Sequence, residues 1–256
     1  MNRRISLAAL AALLCVLGLG LQSGVAEAAQ GLKIVVYGGT GNIGQRIVAE
    51  ALNRGHQVTV VARDPSTLTV KGNGLAVAKG DVTDSAGVAR QIAGADVVIS
   101  AIGGGRNGSP DQGNDLLLRT AQSLVGALRT LNPKAPRLLV VGGAGSLEVA
   151  PGVTMLDQMR EQSGGPSPML SSPAGPVAQK AALDYYRTVK DVSWTYFSPA
   201  MQISPGTRTG KFRLGGDQLV KDAQGQSRIS IEDYAVAMID EAEKPAHLRQ
   251  RFTIGY

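Results

Sequence analysis

The chain has 256 residues, 43% of them apolar and 18% charged, with 33 glycines and a net charge of +6. That length and apolar share support a sizeable buried core and exclude an intrinsically disordered chain. The mild basic excess comes without Lys/Arg blocks or interleaved aromatics, so no nucleic-acid partner is expected, and one cysteine with two histidines excludes a disulfide framework and gives no expectation of a metal.

Arg3 and Arg4 precede an apolar run over residues 7–21, and Ala26-Glu27-Ala28 supplies small residues at cleavage spacing. This is the pattern of a signal peptide over residues 1–28. The run is short for a spanning helix, so the expectation is export, to a bacterial periplasm, with no stable membrane insertion after cleavage. Cleavage would also remove Cys15. The Arg3-Arg4 pair fits only partly the export signal that carries folded proteins, so both export routes stay open. Residues 29–256 are expected to form one domain.

Residues 33–64 carry the strongest local signal. Lys33-Ile34-Val35-Val36-Tyr37 reads as a strand, Gly38-Gly39-Thr40-Gly41-Asn42-Ile43-Gly44 as a glycine turn, the next ten residues as a helix, and residues 58–61 as a second strand. A glycine turn after a strand and at the head of a helix is the dinucleotide-binding arrangement. A pyrophosphate must approach the backbone closely, which Gly39 and Gly41 are expected to allow, while Gly44 lets the helix pack on the strand. The helix offers unpaired N–H groups and the positive end of its dipole from Asn42 and Ile43 onward. The second strand ends in Ala62-Arg63, not in an acid. A guanidinium suits a ribose 2′-phosphate, so NADP(H) is favoured over NAD(H). Asp64 is read as capping the turn Asp64-Pro65-Ser66, and His56 as packing before the second strand.

Residues 75–78 read as a third strand, ending at Gly80-Asp81-Val82. Asp81 is placed to accept from an adenine amino group and Val82 to pack on the base. Asp84 reads as a helix N-cap. Residues 96–102 form a near-continuous apolar strand, ending Ala101-Ile102-Gly103-Gly104-Gly105, where backbone is expected to approach the nicotinamide ribose. A helix over 116–131, a strand over 137–141, a helix over 178–190 and a strand over 193–197 follow. This alternation requires an α/β doubly wound parallel sheet, in which ligands bind beyond the carboxyl ends of the strands. Residues 147–176 break the pattern with Pro and Gly and read as a substrate-side loop. Beyond residue 200 come a basic, glycine-rich stretch with Arg208 and Arg213 as candidate contacts for an anionic substrate, a strand at 228–230, a helix to about residue 243 and a strand at 251–254. These C-terminal segments are expected to form a small cap over the nucleotide site. Nothing in the pattern fixes an oligomeric state.

Several of these stretches carry a resemblance: residues 38–44, Gly55-His56-Gln57-Val58-Thr59, Ala62-Arg63-Asp64-Pro65, Gly80-Asp81-Val82, Trp194-Thr195-Tyr196-Phe197-Ser198-Pro199, Pro205-Gly206-Thr207-Arg208-Thr209-Gly210 and Ile229-Ser230-Ile231-Glu232-Asp233-Tyr234-Ala235. The chain resembles the atypical short-chain dehydrogenases/reductases of the NmrA-like, NAD(P)H-binding branch, which includes enzymes of the flavin- and biliverdin-reductase type. The resemblance implies a Rossmann-like fold and hydride transfer to a flavin-like, quinone-like or other small conjugated acceptor. It places the family's lysine at Lys180, as a catalytic residue and a ribose- or nicotinamide-side contact, and the family's tyrosine position at Pro176. It also places a substrate-binding serine at Ser146. Tyr186 and Lys190 match the Tyr-x-x-x-Lys spacing of the broader superfamily, but Lys190 lies too near the following strand to reach a nucleotide. A lysine without its tyrosine leaves two alternatives: a catalytically silent NAD(P)-binding sensor, and an epimerase or dehydratase, which would need a base at the sugar hydroxyl.

Overall fold

The computed structural model describes residues 31–103, 115–165, 170 and 175–256. The segment read as a signal peptide, Gly104 and Gly105 lie outside the described residues, as does much of the 166–174 stretch. In chain order the elements are β1 (Lys33–Tyr37), α1 (Asn42–Asn53), β2 (Gln57–Ala62), β3 (Leu75–Lys79), α2 (Ser85–Ile92), β4 (Val97–Ser100), α3 (Leu116–Leu131), β5 (Arg137–Val141), β6 (Glu148–Ala150), β7 (Val153–Thr154), α4 (Met155–Ser163), α5 (Pro176–Thr188), β8 (Trp194–Ser198), β9 (Gln202–Ser204), β10 (Arg213–Gly215), β11 (Arg228–Ser230), α6 (Ile231–Glu243) and β12 (Gln250–Gly255).

Eight strands form the main sheet in the order β10-β12-β8-β5-β4-β1-β2-β3. All neighbours run parallel except β10, which lies antiparallel on β12. The reversal of strand order between β1 and β4 puts the crevice for a ligand at their carboxyl ends. Strands buried on both faces must be apolar on both, and the chain obeys this: Ile34, Val36, Val58, Val60 and Ile99 meet α1 and α6, while Val35, Tyr37, Val98, Leu138 and Val140 meet α2, α3 and α5. Trp194, Tyr186 and Tyr196 fill the second face beneath α5. Phe197 stacks between Tyr234 and Phe252 on the first, with ring centroids 4.2 and 4.0 Å away.

The C-terminal segments correct the expectation of a cap. β12 extends the main sheet beside β8, and β10 closes its edge. β9 and β11 pair into a small separate ribbon. The loop over 205–211 is fastened to α6 by Asp233, which is fully buried and accepts from the Thr209 and Gly210 N–H groups, the Thr209 hydroxyl and the Tyr256 hydroxyl. The described residues 147–165 of the stretch read as a loop carry regular structure. They hold the β6–β7 hairpin and α4, which begins with a capping box between Thr154 and Asp157.

α1 is held along its length. His56 bridges the Leu32 N–H, which donates to Nδ1, and Glu243, 3.0 Å from Nε2. Arg46 pairs with Glu232 on α6. Arg54 pairs with Glu50, Asp240 and Glu243. Glu50 is buried and receives a two-pronged bond from Arg208, at 2.8 and 2.7 Å. The Arg208 bond is the main cause holding the Glu50 carboxyl below its ordinary range, with Arg54 acting in the same direction.

A carboxylate whose folded pKa is depressed stabilises the fold above its unfolded pKa and loses that contribution as pH falls through the folded value. Glu50→Gln is therefore expected to cost about 2 kcal/mol at neutral pH. Urea denaturation should show the gap between variant and wild type closing as the pH is lowered below the usual carboxylate range.

Candidate functional site

The turn between β1 and α1 shows what each glycine is for. Gly38 has φ +76°, the left-handed region, and a Cβ there would lie 2.4 Å from the Ala101 carbonyl oxygen. A Cβ on Gly44 would lie 2.1 Å from the Gly38 carbonyl oxygen, so α1 can dock on the turn only with glycine at that place. Gly39 faces the Val60 side chain, 2.8 Å from an added Cβ. Its bareness serves packing on β2, which corrects the expectation that it opens the way for phosphate.

Gly41 differs from these three. Its φ of −80° suits any residue, and a Cβ on it would meet only the Gly38 oxygen at 3.4 Å. Neither the backbone nor the packing demands glycine at Gly41. The open space beside it leaves room for a diphosphate of the kind that a dinucleotide-binding turn holds. α1 begins at Gly41 with no side-chain cap and no acid in its first turn. Its leading N–H groups and its dipole are thus available to an anion. Asn42 is exposed at this mouth and Ile43 half-buried behind it. Thr40 is held by its carbonyl, which accepts from Gln45 at 2.9 Å, and Gln45 in turn accepts from the Thr69 hydroxyl. The residues fit a pyridine dinucleotide.

At the adenine side, Arg63 is exposed beyond β2, and its charge helps lower the Asp81 pKa, after the dominant bond from the Thr83 N–H. Asp81 Oδ1 accepts from both the Thr83 N–H and hydroxyl, a local turn that fixes the carboxylate at the rim. Val82 is buried among Val61, Val88 and Ile92. Its side chain belongs to the core, which corrects the expectation that it covers the base. Asp64 Oδ1 accepts from the Ser66 N–H and hydroxyl, at 3.0 and 2.6 Å, the capping role read from the sequence. Asp84 stands at the α2 N-cap position without a side-chain bond. Ala101 and Ile102 are half-buried and Gly103 exposed beyond β4.

Beyond β5, a turn of 3-10 helix over Ala144–Ser146 packs against the first turn of α5. Gly143 and Gly145 permit this, since Cβ atoms there would strike Gln179 and Pro176. The contact sets the 3-10 turn that ends in Ser146 against the helix that carries Lys180. Lys180 donates to Asp184 at 2.6 Å and is partly exposed. Ser146 is nearly buried, with its hydroxyl 3.4 Å from the Arg251 guanidinium. Pro176, at the position the resemblance assigns to tyrosine, is the first residue of α5. Tyr186 points the other way, into the core with Trp194 and Tyr196, and burial raises its pKa. Lys190 donates to the Arg187 carbonyl. The Tyr186/Lys190 pair is thereby excluded as an acid and its partner.

Two candidate substrate contacts are corrected. Arg208 is engaged with Glu50 on α1. Arg213 donates to the Lys221 and Tyr256 carbonyls. Both guanidiniums fasten the C-terminal half of the chain to itself. Sequence reasoning missed Arg251, although it carries a signal: a lone cation in the apolar strand Arg251-Phe252-Thr253-Ile254 must find a partner if that strand is buried. Among the described residues no cluster of His, Cys, Asp and Glu is arranged to hold a metal ion, and no helix is long and apolar enough to cross a membrane.

Comparison with known proteins agrees with this geometry. A family model described as NAD(P)H-binding matches residues 38–242. A crystal structure of a Burkholderia pseudomallei protein named "Putative exported protein" is 41% identical, with a TM-score of 0.72, covering 88% of this chain and 100% of that one. A Bacteroides thetaiotaomicron structure named "putative epimerase" is 38% identical, with a TM-score of 0.74 over 88% of this chain and 97% of that one. A Streptococcus pneumoniae structure named "putative NADH-flavin reductase" is 32% identical, with a TM-score of 0.71 over 88% and 99%. With its glycine turn, switch-point crevice and strand order, the chain belongs to the NAD(P)H-binding family of NmrA-like, atypical short-chain dehydrogenases/reductases.

Proposed function

We propose that the chain is an NADPH-dependent reductase that delivers hydride to a flavin-like or quinone-like conjugated acceptor. The observation that carries the reading is Gly41, a glycine with an ordinary φ and open space on the side its Cβ would take. A bound diphosphate would account for its lack of a side chain. When bound, the reduced nicotinamide supplies the hydride. The chain's own residues bind and orient: Gly38 to Gly44 with the first turn of α1 hold the diphosphate, Arg63 the 2′-phosphate, Asp81 the adenine rim and the backbone of Ala101, Ile102 and Gly103 the nicotinamide ribose. Lys180 reaches the ribose from α5, and Ser146 donates to the acceptor.

NADP(H) is preferred over NAD(H) because Asp64, the acid that follows Arg63 in the chain, is turned back onto Ser66, and the Arg63 guanidinium suits a 2′-phosphate. A conjugated acceptor follows from Tyr186 being buried and Pro176 replacing the superfamily tyrosine. Reduction of a conjugated system spreads the incoming charge, and the proton can follow from solvent. The same absence disfavours an epimerase, which needs a base at a sugar hydroxyl. The "NADH-flavin reductase" name of the pneumococcal relative supports this acceptor class. The "exported protein" name of the Burkholderia relative, together with the leader-like residues 1–28, supports a periplasmic location.

Gly41→Ala is expected to keep its melting temperature within about 2 °C while NADPH affinity falls at least ~30-fold, because only the ligand side is filled. Gly44→Ala should instead lose about 2 kcal/mol of stability through overpacking. Equal NADPH affinity in wild type and Gly41→Ala would remove the basis of the reading. Arg63→Ala should weaken NADPH about tenfold and NADH hardly at all, the loss of roughly one charge-assisted hydrogen bond. Purified protein should oxidise NADPH faster on addition of FMN or a soluble quinone. Tight NADPH binding with no oxidation across such a screen would identify a sensor instead. Fractionation of cells expressing the full chain should recover it in the periplasm, shortened by about the 28-residue leader; an uncut cytoplasmic product would refute export.

A further inference from the structure

Ser146 and Lys180, the two residues at the acceptor side, are the ends of one ladder of charges. Lys180 donates to Asp184 at 2.6 Å, and Arg187 lies 3.7 Å from Asp184 and 3.2 Å from Asp217. Asp217 takes the Arg251 Nε at 2.6 Å and also its Nη2. Arg251 then places Nη1 3.4 Å from the Ser146 hydroxyl and Nη2 3.4 Å from the Ser146 carbonyl. Most of these side chains are well exposed. The Arg251 side chain, at 2%, and Ser146 are the buried members. Its strand neighbour in register is Tyr196, whose hydroxyl donates to the Gln179 carbonyl at the base of α5.

We infer that Arg251 is a positioning residue for the acceptor site: its buried guanidinium, anchored on Asp217, grips Ser146 by both hydroxyl and carbonyl and turns the serine's proton toward the acceptor. This rests on the reductase reading above. A serine hydroxyl has one proton and two lone pairs, and a guanidinium can only donate. With a lone pair of Oγ facing Arg251, the proton must point elsewhere. Among the described residues no acceptor takes it. An acceptor carbonyl at the sheet edge would receive that hydrogen bond as hydride arrives on its conjugated ring. The cation behind the serine makes it a stronger donor. The two electrons come from the reduced nicotinamide and the balancing proton from solvent, so neither Arg251 nor Ser146 changes its protonation state.

Asp217 holds the grip from the solvent side. Its carbonyl also accepts from the Glu148 N–H, which ties the 217–219 segment to β6. The orientation of Ser146 thus depends on β12, the post-β10 segment and the post-β5 turn together.

The test is a double-mutant cycle read in NADPH oxidation with FMN as acceptor. Ser146→Ala and Arg251→Gln are each expected to lower kcat about tenfold, and the double variant to be no slower than Ser146→Ala alone. NADPH affinity should stay within about twofold in all three, since the nucleotide loop is untouched. Should Arg251→Gln fail to fold, Asp217→Asn, at a side chain 58% exposed, carries the same cycle with an expected loss of about threefold that also vanishes in the Ser146→Ala background. A purely structural role would lower thermal stability and slow both backgrounds by the same factor, and that result overturns the inference. A wild type that binds NADPH but reduces neither FMN nor a quinone overturns the reductase reading itself, and the inference with it.

Discussion

The structure depends on backbone meeting backbone at one point. At the end of β1 the chain reverses at Gly38, whose carbonyl oxygen lies where a Cβ of Gly44 would be, while Gly38 itself abuts the Ala101 carbonyl beyond β4. Turn, helix and neighbouring strand end are thereby closed on one another with no side chain between them. Such contacts have little play, since carbonyl and Cα surfaces cannot rotate aside as a rotamer can. The first turn of α1 is consequently fixed in height and direction over the crevice between β1 and β4. The rest of α1 is secured by charge. Arg46, Glu50 and Arg54 reach α6 and the 205–211 loop, so α1 is held at its head by shape and along its length by ion pairs.

The proposed acceptor side is assembled by other means. It has no equivalent of the glycine interlock, and its members come from β12, α5, the turn after β5 and the segment after β10. Ion pairs join them. Exposed pairs of this kind contribute little stability each, so the ladder from Lys180 to Asp217 orients more than it stabilises. Arg251 is different because a buried cation without its partners is costly. Its burial makes its pairing with Asp217 a condition of folding β12 into the sheet.

This division explains what could be read from residues in order. The parallel core was legible because buried strands must be apolar on both faces, and the nucleotide turn because its glycines are adjacent in sequence. Asp64 was legible as a cap, since it acts within two positions of itself. Arg208 and Arg213 were not, because a cation's partner is invisible when it lies 158 residues away, as Glu50 does from Arg208. The edge strand β10 escaped for a different reason: three residues with glycine beside them carry no period. The role of Gly39 was misassigned because adjacent glycines look alike until Val60 is seen against one of them.

The proposed chemistry follows from the same contrast. A saturated carbonyl taking hydride would concentrate negative charge on one oxygen and would need a proton delivered as the charge forms. Pro176 stands where the family's tyrosine would supply it, and Tyr186 of α5 is sealed in the core with Trp194 and Tyr196, where burial opposes its ionisation. What the sheet edge offers instead is a serine backed by a guanidinium and a partly exposed lysine, groups that donate hydrogen bonds without giving up a proton. Such a site stabilises charge that is already spread over a conjugated ring and does little for charge that is not. Selection among acceptors therefore falls to their own electronic structure, with the fold supplying distance and direction.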